Sequence, residues 1–142
     1  MKKIISLIVL IMVAAGVTFA QTASSSDGVF KVMGVNENVP TNMFTTPGEG
    51  MRFVAFDIVV DRRGSTGISF DIRVRDSNYR IYTPAAMSYA LVNPSLPLRI
   101  DDDDIVRGWL VISIPINVPI TGLQIRLAQL YGDNITGWLT LK

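Results

Sequence analysis

Cysteine and histidine are both missing from the 142 residues. Their absence removes Cys-nucleophile and Ser-His-Asp chemistry, zinc sites built from Cys and His, and any disulfide framework. Lysine is scarce: beyond Lys2 and Lys3 only Lys31 and Lys142 occur, and neither stands in a Ser-x-x-Lys spacing that would give a serine nucleophile its base. Neither sign of charge is in excess. With 13 basic and 12 acidic residues the chain lacks the clustered positive charge of a broad nucleic-acid footprint. Phosphate-cradling motifs are absent too, since Gly48-Glu-Gly50 and Gly64-Ser-Thr-Gly67 read as turn glycines.

What is present begins with a targeting pattern. Met1-Lys2-Lys3 precedes an apolar run from Ile4 to Val17, and Thr18-Phe19-Ala20 offers small residues before a cut after Ala20. That is the layout of a secretory signal peptide, residues 1–20. The run is short for a membrane span, and a lipoprotein would need a Cys that the chain does not have. The mature protein is therefore expected to be exported, periplasmic or extracellular, without a lipid anchor or a membrane span. Loss of Lys2 and Lys3 takes thirteen basic residues to eleven against twelve acidic ones, so the mature net charge is −1.

Residues 21–27 are small and polar and read as a flexible lead-in. From residue 28 to 142 the hydropathy alternates with period two. In 68–75, Ile68, Phe70, Ile72 and Val74 share one face while Ser69, Asp71, Arg73 and Arg75 share the other. Residues 51–60 place Val54, Phe56, Ile58 and Val60 inward, and 105–114 place Val106, Leu110, Ile112 and Ile114 inward. Leu123, Ile125 and Leu127 mark a further strand, and Ile135, Leu139 and Leu141 another, joined by a tight turn at Tyr131-Gly-Asp-Asn134. Weaker strands fall at 29–35, 79–82 and 96–100, and only 84–93 has room for a turn or two of helix. Seven or eight short strands punctuated by Pro and Gly predict one all-β domain, an immunoglobulin-like antiparallel β-sandwich.

Two stretches carry a resemblance. Glu49-Gly-Met-Arg-Phe-Val-Ala-Phe-Asp-Ile-Val-Val60 and Arg107-Gly-Trp-Leu-Val-Ile-Ser-Ile-Pro115 resemble a family of exported bacterial immunoglobulin-like domains of uncharacterised role. That family is similar in fold to the mycobacterial immunoprotective extracellular antigen. The resemblance extends in strand order over about residues 28–142. Two departures stand out: Asp101-Asp-Asp-Asp104 replaces the usual Pro-Gly turn, and Ile112 and Ser113 replace a usual Phe and its neighbour. The resemblance implies one sheet from 29–35, 51–60 and 105–114, a second from 67–75, 122–131 and 135–141, and no catalytic residues.

Carboxylates are the only abundant reactive groups. If 51–60 and 68–75 were hairpin partners, Asp57 would face Asp71, an unfavourable pairing that favours separate sheets over a glycosidase-like pair. Asp101, Asp102, Asp103 and Asp104 form the one conspicuous polar run, a candidate calcium site. Consecutive Asp on extended chain alternate faces, so a solvated turn that protects the apolar strand after it is favoured. Arg62, Arg63, Arg73, Arg75 and Arg80 suggest a patch for acidic glycans or anionic lipid, but Asp61, Asp71 and Asp76 are interleaved with them and favour ordinary surface pairing. Asn134-Ile-Thr136 fits a glycosylation sequon that a hairpin turn explains better.

The largest anomaly is apolar. Phe53, Ala55 and Val59 on one supposedly wet face, and Trp109 and Val111 on the other, would merge into a stripe if the two strands are neighbours. Either Met43-Phe44 or Ala85–Val92 covers that stripe, or a partner does, with cover from within the chain favoured. The expected function is non-catalytic binding of a protein or cell-envelope component through a sheet face or loop end. Phe53, Val59, Trp109 and Val111 are the candidate contact residues. A calcium- or small-ligand-binding module at 101–104 is the alternative, and no other cofactor is expected.

Overall fold

The computed structural model describes residues 17–18, 22–26, 28–43, 45–63, 68–85, 91–100 and 105–142. Ten strands occur among them, all antiparallel: β1 (Val17–Thr18), β2 (Ala23–Ser24), β3 (Phe30–Asn36), β4 (Met51–Asp61), β5 (Ile68–Arg75), β6 (Ile81–Tyr82), β7 (Arg99–Ile100), β8 (Ile105–Pro115), β9 (Gln124–Gln129) and β10 (Leu139–Thr140). The first sheet runs β3–β4–β8, with β1 and β2 both pairing on β3. The second runs β10–β9–β5–β6, with β7 also on β5. The chain is an all-β antiparallel sandwich.

The alternation predicted for the long strands is the alternation observed. Val54, Phe56, Ile58 and Val60 of β4 meet Phe70, Ile72 and Val74 of β5 in one core, together with Leu110, Ile112 and Ile114 of β8 and Ile125 and Leu127 of β9. Each of these eleven-residue strands, β4 and β8, is paired along its whole length from Met51–Pro115 to Asp61–Ile105. Period-two burial of β-branched and aromatic side chains is what selects strand over helix here, because a helix would carry half of them into water.

Irregular places in the ladder have local causes. In β3 the register shifts between Val32 and Gly34, leaving Met33 unpaired opposite β4. The bulge lets Phe30, Val32 and Val35 all reach the core despite their uneven spacing. Part of the polar lead-in joins the sheet: Ala23–Ser24 pairs with Val32 and Lys31, and Ser25 caps the turn by accepting the Phe30 amide on Oγ at 3.0 Å. Gly28, at φ 75°, makes that turn possible. Val17–Thr18, inside the expected targeting segment, pairs with Asn36 and Val35 at the rim of β3, so the β3–β4–β8 ladder does not depend on it.

The last strand is shorter than its apolar spacing suggests. Leu127 O accepts both the Ile135 amide at 2.9 Å and the Thr136 amide at 3.1 Å, and Thr136 Oγ1 accepts the Leu127 amide at 3.0 Å. That knot interrupts the ladder, and regular pairing resumes only at Leu139–Thr140. Thr136 is buried in it, which accounts for the threonine of the Asn134-Ile-Thr136 sequence.

Candidate functional site

The outer face of the first sheet holds the residues singled out by sequence. Register places Phe53 opposite Ser113, Ala55 opposite Val111, Asp57 opposite Trp109 and Val59 opposite Arg107. The apolar half and the polar half of this face meet different fates. Phe53, Ala55 and Val111 form a second small core under Val39, Ala85, Leu91 and Val92, with Trp109 at its side. Phe53 retains 5% exposure and Val111 none. Phe53 and Val111 are thus core residues and present no open contact surface. The cover comes from within the chain, as favoured, and among the described residues it is made by Ala85, Leu91, Val92 and Val39. Met43, the other candidate lid, is 86% exposed, and Phe44 lies outside the described residues.

The cover is anchored by backbone hydrogen bonds to the free edge of β8. Ala85 N donates to Val111 O at 2.8 Å, Trp109 N to Pro94 O at 2.9 Å, and Leu96 N to Trp109 O at 2.9 Å. These contacts occupy the β8 edge that the Asp run was expected to protect. Gly108 permits them: a Cβ there would stand 2.5 Å from the Leu96 amide nitrogen and 2.6 Å from Ser95 C. The glycine of the Arg-Gly-Trp motif is therefore needed for a close backbone passage.

Trp109 is only half-buried. With Asn36, Val39, Pro40, Leu91, Val92 and Asn93 it lines an open cleft of about 250 Å³ at the side of the sandwich. Of the four candidate contact residues, Trp109 alone opens on this cleft. Val59 is half-buried outside the small core, next to Lys31 on one side and Arg107 on the other.

Asp57, Asp61, Asp71 and Asp76 are all engaged by donors. Asp57 accepts both Arg107 Nε at 3.1 Å and Nη2 at 2.8 Å, a bidentate bridge across β4 and β8 that raises the Arg107 pKa. Asp71 lies on the other sheet, facing away, beside Arg73 at 3.4 Å. A carboxylate pair from Asp57 and Asp71 does not form. Asp101, Asp102, Asp103 and Asp104 lie outside the described residues. Among the described residues no three His, Cys, Asp or Glu side chains come together as a metal site would require, and no helix is long and apolar enough to cross a membrane.

The arginines sort differently from their order in sequence. Arg63 grips Asp61 through Nε at 3.0 Å and Nη2 at 2.9 Å, which holds the Asp61 carboxyl below its usual range. Arg80 contributes its backbone amide to Asp76 at 3.0 Å. Asp76 is a buried hub that the sequence reading treated as a surface partner: Oδ1 also accepts the Asn78 amide at 2.8 Å, and Oδ2 accepts the Tyr82 hydroxyl at 2.7 Å. Burial pushes its pKa up, but the Tyr82, Arg80 and Asn78 hydrogen bonds outweigh that and hold it below the usual value. The same hub, with burial leading, pushes the Tyr82 phenol up.

Arg73 and Arg75 instead join a residue the sequence did not single out. Register sets Arg73 opposite Arg126 and Arg75 opposite Gln124, whose Oε1 accepts Arg75 Nε at 2.7 Å. The guanidiniums of Arg75 and Arg126 both stack on the Trp138 ring, each 4.2 Å from its centroid. A comparison with known protein families matches no family model, and a comparison with curated proteins returns no match.

Proposed function

We propose that this chain is an exported, non-catalytic binding module that engages a protein or cell-envelope component at the side of the first sheet, with Trp109 as its anchor. The open cleft beside Trp109 is the observation that carries this reading. An aromatic side chain left half-exposed at the rim of an otherwise sealed apolar patch offers what interface anchors use, large area at little conformational cost. The neighbouring rim, Asn36, Val39, Pro40 and Asn93, is mixed apolar and polar, as a contact edge around a central aromatic is. The assignment to a binding role rests also on what surrounds the cleft, since Asp57 and Arg107, the nearest charged pair, neutralise one another.

The test places a photo-crosslinking amino acid at Asn93 in the exporting cell and identifies the adduct by mass spectrometry. One dominant envelope adduct, lost when Val39→Arg is added to narrow the cleft, is the expected result. Val39 sits on the rim, so this substitution leaves the main core in place. Crosslinking that is absent, or that Val39→Arg leaves unchanged, refutes the cleft as the contact.

A further inference from the structure

The second sheet presents a face of a different kind. Burial of Phe70, Ile72 and Val74 turns Ser69, Asp71, Arg73 and Arg75 outward along β5. Register brings Arg126 of β9 opposite Arg73, and Arg99 reaches the far end of the row, donating to Ser69 Oγ at 3.2 Å. Arg73, Arg75 and Arg126 thus share a face on which Asp71, already beside Arg73, is the one carboxylate that β5 and β9 carry outward. Neither Arg75 nor Arg126 has a carboxylate partner among the described residues, and Arg126 Nε is buried without a hydrogen bond. Burial together with the positive charge of Arg73 and Arg75 pushes the Arg126 pKa down. The cluster is repulsive as it stands, and an anion would relieve it.

We propose that this face binds a linear acidic polysaccharide, its carboxylates held by Arg73, Arg75 and Arg126. Stacking on Trp138 fixes two guanidinium planes and, with Arg75 Nε held by Gln124 and Arg126 Nε buried, leaves the Nη1/Nη2 edges to fork onto carboxylates. The charges follow the strand: Arg73 and Arg75 repeat every second residue, about 7 Å apart, and Arg126 lies about 5 Å across from Arg73. A row on an open sheet face suits an extended polyanion better than a small ion, which would want an enclosing pocket. Trp138 carries two guanidiniums and Tyr79 lies 4.9 Å from the Arg75 guanidinium, so a nucleic-acid base would have to compete with a cation at either ring. The outward residues of β5 are polar or charged, and the exposed Ile81 opposite Arg75 and Tyr79 beside it are too few to anchor the face in lipid. This site is on the opposite sheet from Trp109 and stands or falls without it.

The test measures binding of the whole mature chain to polygalacturonate by isothermal titration calorimetry, with neutral dextran and phosphatidylglycerol vesicles as comparisons. The expected result is binding to polygalacturonate alone, weakening about tenfold between about 50 and about 300 mM NaCl. Arg75→Gln with Arg126→Gln should lower the affinity at least about tenfold, whereas Arg63→Gln, which lies off this face beside Asp61, should not change it. Arg126→Lys keeps the charge but not the fork, and should recover only part of the loss. A circular dichroism melt of each variant separates lost binding from lost fold. No binding by the wild-type chain, equal binding by a folded double variant, or a preference for the vesicles would each overturn the proposal.

Discussion

Replacing Gly108 by Ala tests whether the cover over the first sheet is held as described. The new Cβ would lie 2.5 Å from Leu96 N, 2.6 Å from Leu96 Cα and 2.6 Å from Ser95 C, where ordinary contact begins at 3.4 Å. All three are backbone atoms, so no side chain can swing aside. Relief requires the 94–96 segment to retreat by roughly 1 Å, which carries the Leu96–Trp109 and Trp109–Pro94 hydrogen bonds, both 2.9 Å, out of bonding range. Two such bonds are together worth about 2 kcal/mol, and forcing atoms into a packed site adds about 1–3 kcal/mol. The expected loss is about 3–5 kcal/mol, or a fall in Tm of about 12–20 °C at about 4 °C per kcal/mol for a domain of this size. Thermal and urea denaturation of Gly108→Ala measure it, with Trp fluorescence reporting exposure of Trp109 as Leu91–Asn93 shift with their anchor. A Tm within about 3 °C of wild type would falsify the close passage and with it the account of why the Arg-Gly-Trp motif has its glycine.

Three further outcomes follow from the same packing. Phe53→Ala should cost about 3–5 kcal/mol in urea denaturation because the side chain is sealed, whereas Val59→Ala, half-buried at the open part of the face, should cost under about 1.5 kcal/mol; similar values for both would mean that Phe53 is not covered. Asp76→Ala should lose about 2–3 kcal/mol, since one charged acceptor serves three donors. Because its folded pKa is depressed, Asp76 contributes stability that is present above its unfolded value of 3.8 and is lost as pH falls through the lower folded value. Melts between about pH 5 and pH 2 should therefore fall more steeply for wild type than for Asp76→Asn, and parallel curves would remove Asp76 from the acid limb. Excess calcium, then chelator, should leave Tm unchanged within about 1 °C; a rise of several degrees with calcium would make Asp101–Asp104 an ion site after all.

The two stacked sheets were legible because each long strand repeats its own instruction. Val54, Phe56, Ile58 and Val60 state an inward face four times over, so a slip of one residue would expose them all. The cover on Phe53 and Val111 was legible for a related reason: apolar residues on both faces of neighbouring strands need burial twice, and 84–93 was itself apolar enough to supply it. What escaped depends on register between distant segments. Arg75, Arg126 and Trp138 are far apart in sequence, and only the pairing of β5 with β9, and of β9 with β10, brings them together. Asp76 escaped because its three donors are two backbone amides and a tyrosine hydroxyl, none of which has a pattern that hydropathy records. Gly108 read as part of a motif, yet its reason lies in a backbone that crosses it from twelve residues earlier.

The contrast between the two outer faces explains why, among the described residues, one is lidded and the other is not. A lid is stable only if the area it removes from water outweighs the cost of ordering it, about 1–2 kcal/mol per residue of backbone. On the first sheet Phe53, Ala55, Val111 and Trp109 supply that area to Ala85, Leu91, Val92 and Val39. On the second, the outward Ser69, Asp71, Arg73 and Arg75 offer little but charge and flexible stems, so a covering loop would bury guanidiniums without partners. Trp138 stacks on the guanidiniums of Arg75 and Arg126 as a single flat ring and is the largest side chain set against them. The two faces are joined through the shared core and by two crossings of the chain, Tyr82 to Ala85 and Leu96 to Arg99, each of which leaves the edge of one sheet for the other. Arg126 lies on β9, away from both crossings, so neutralising it should leave crosslinking from Asn93 beside Trp109 unchanged, and a changed adduct would show that the crossings couple the two faces.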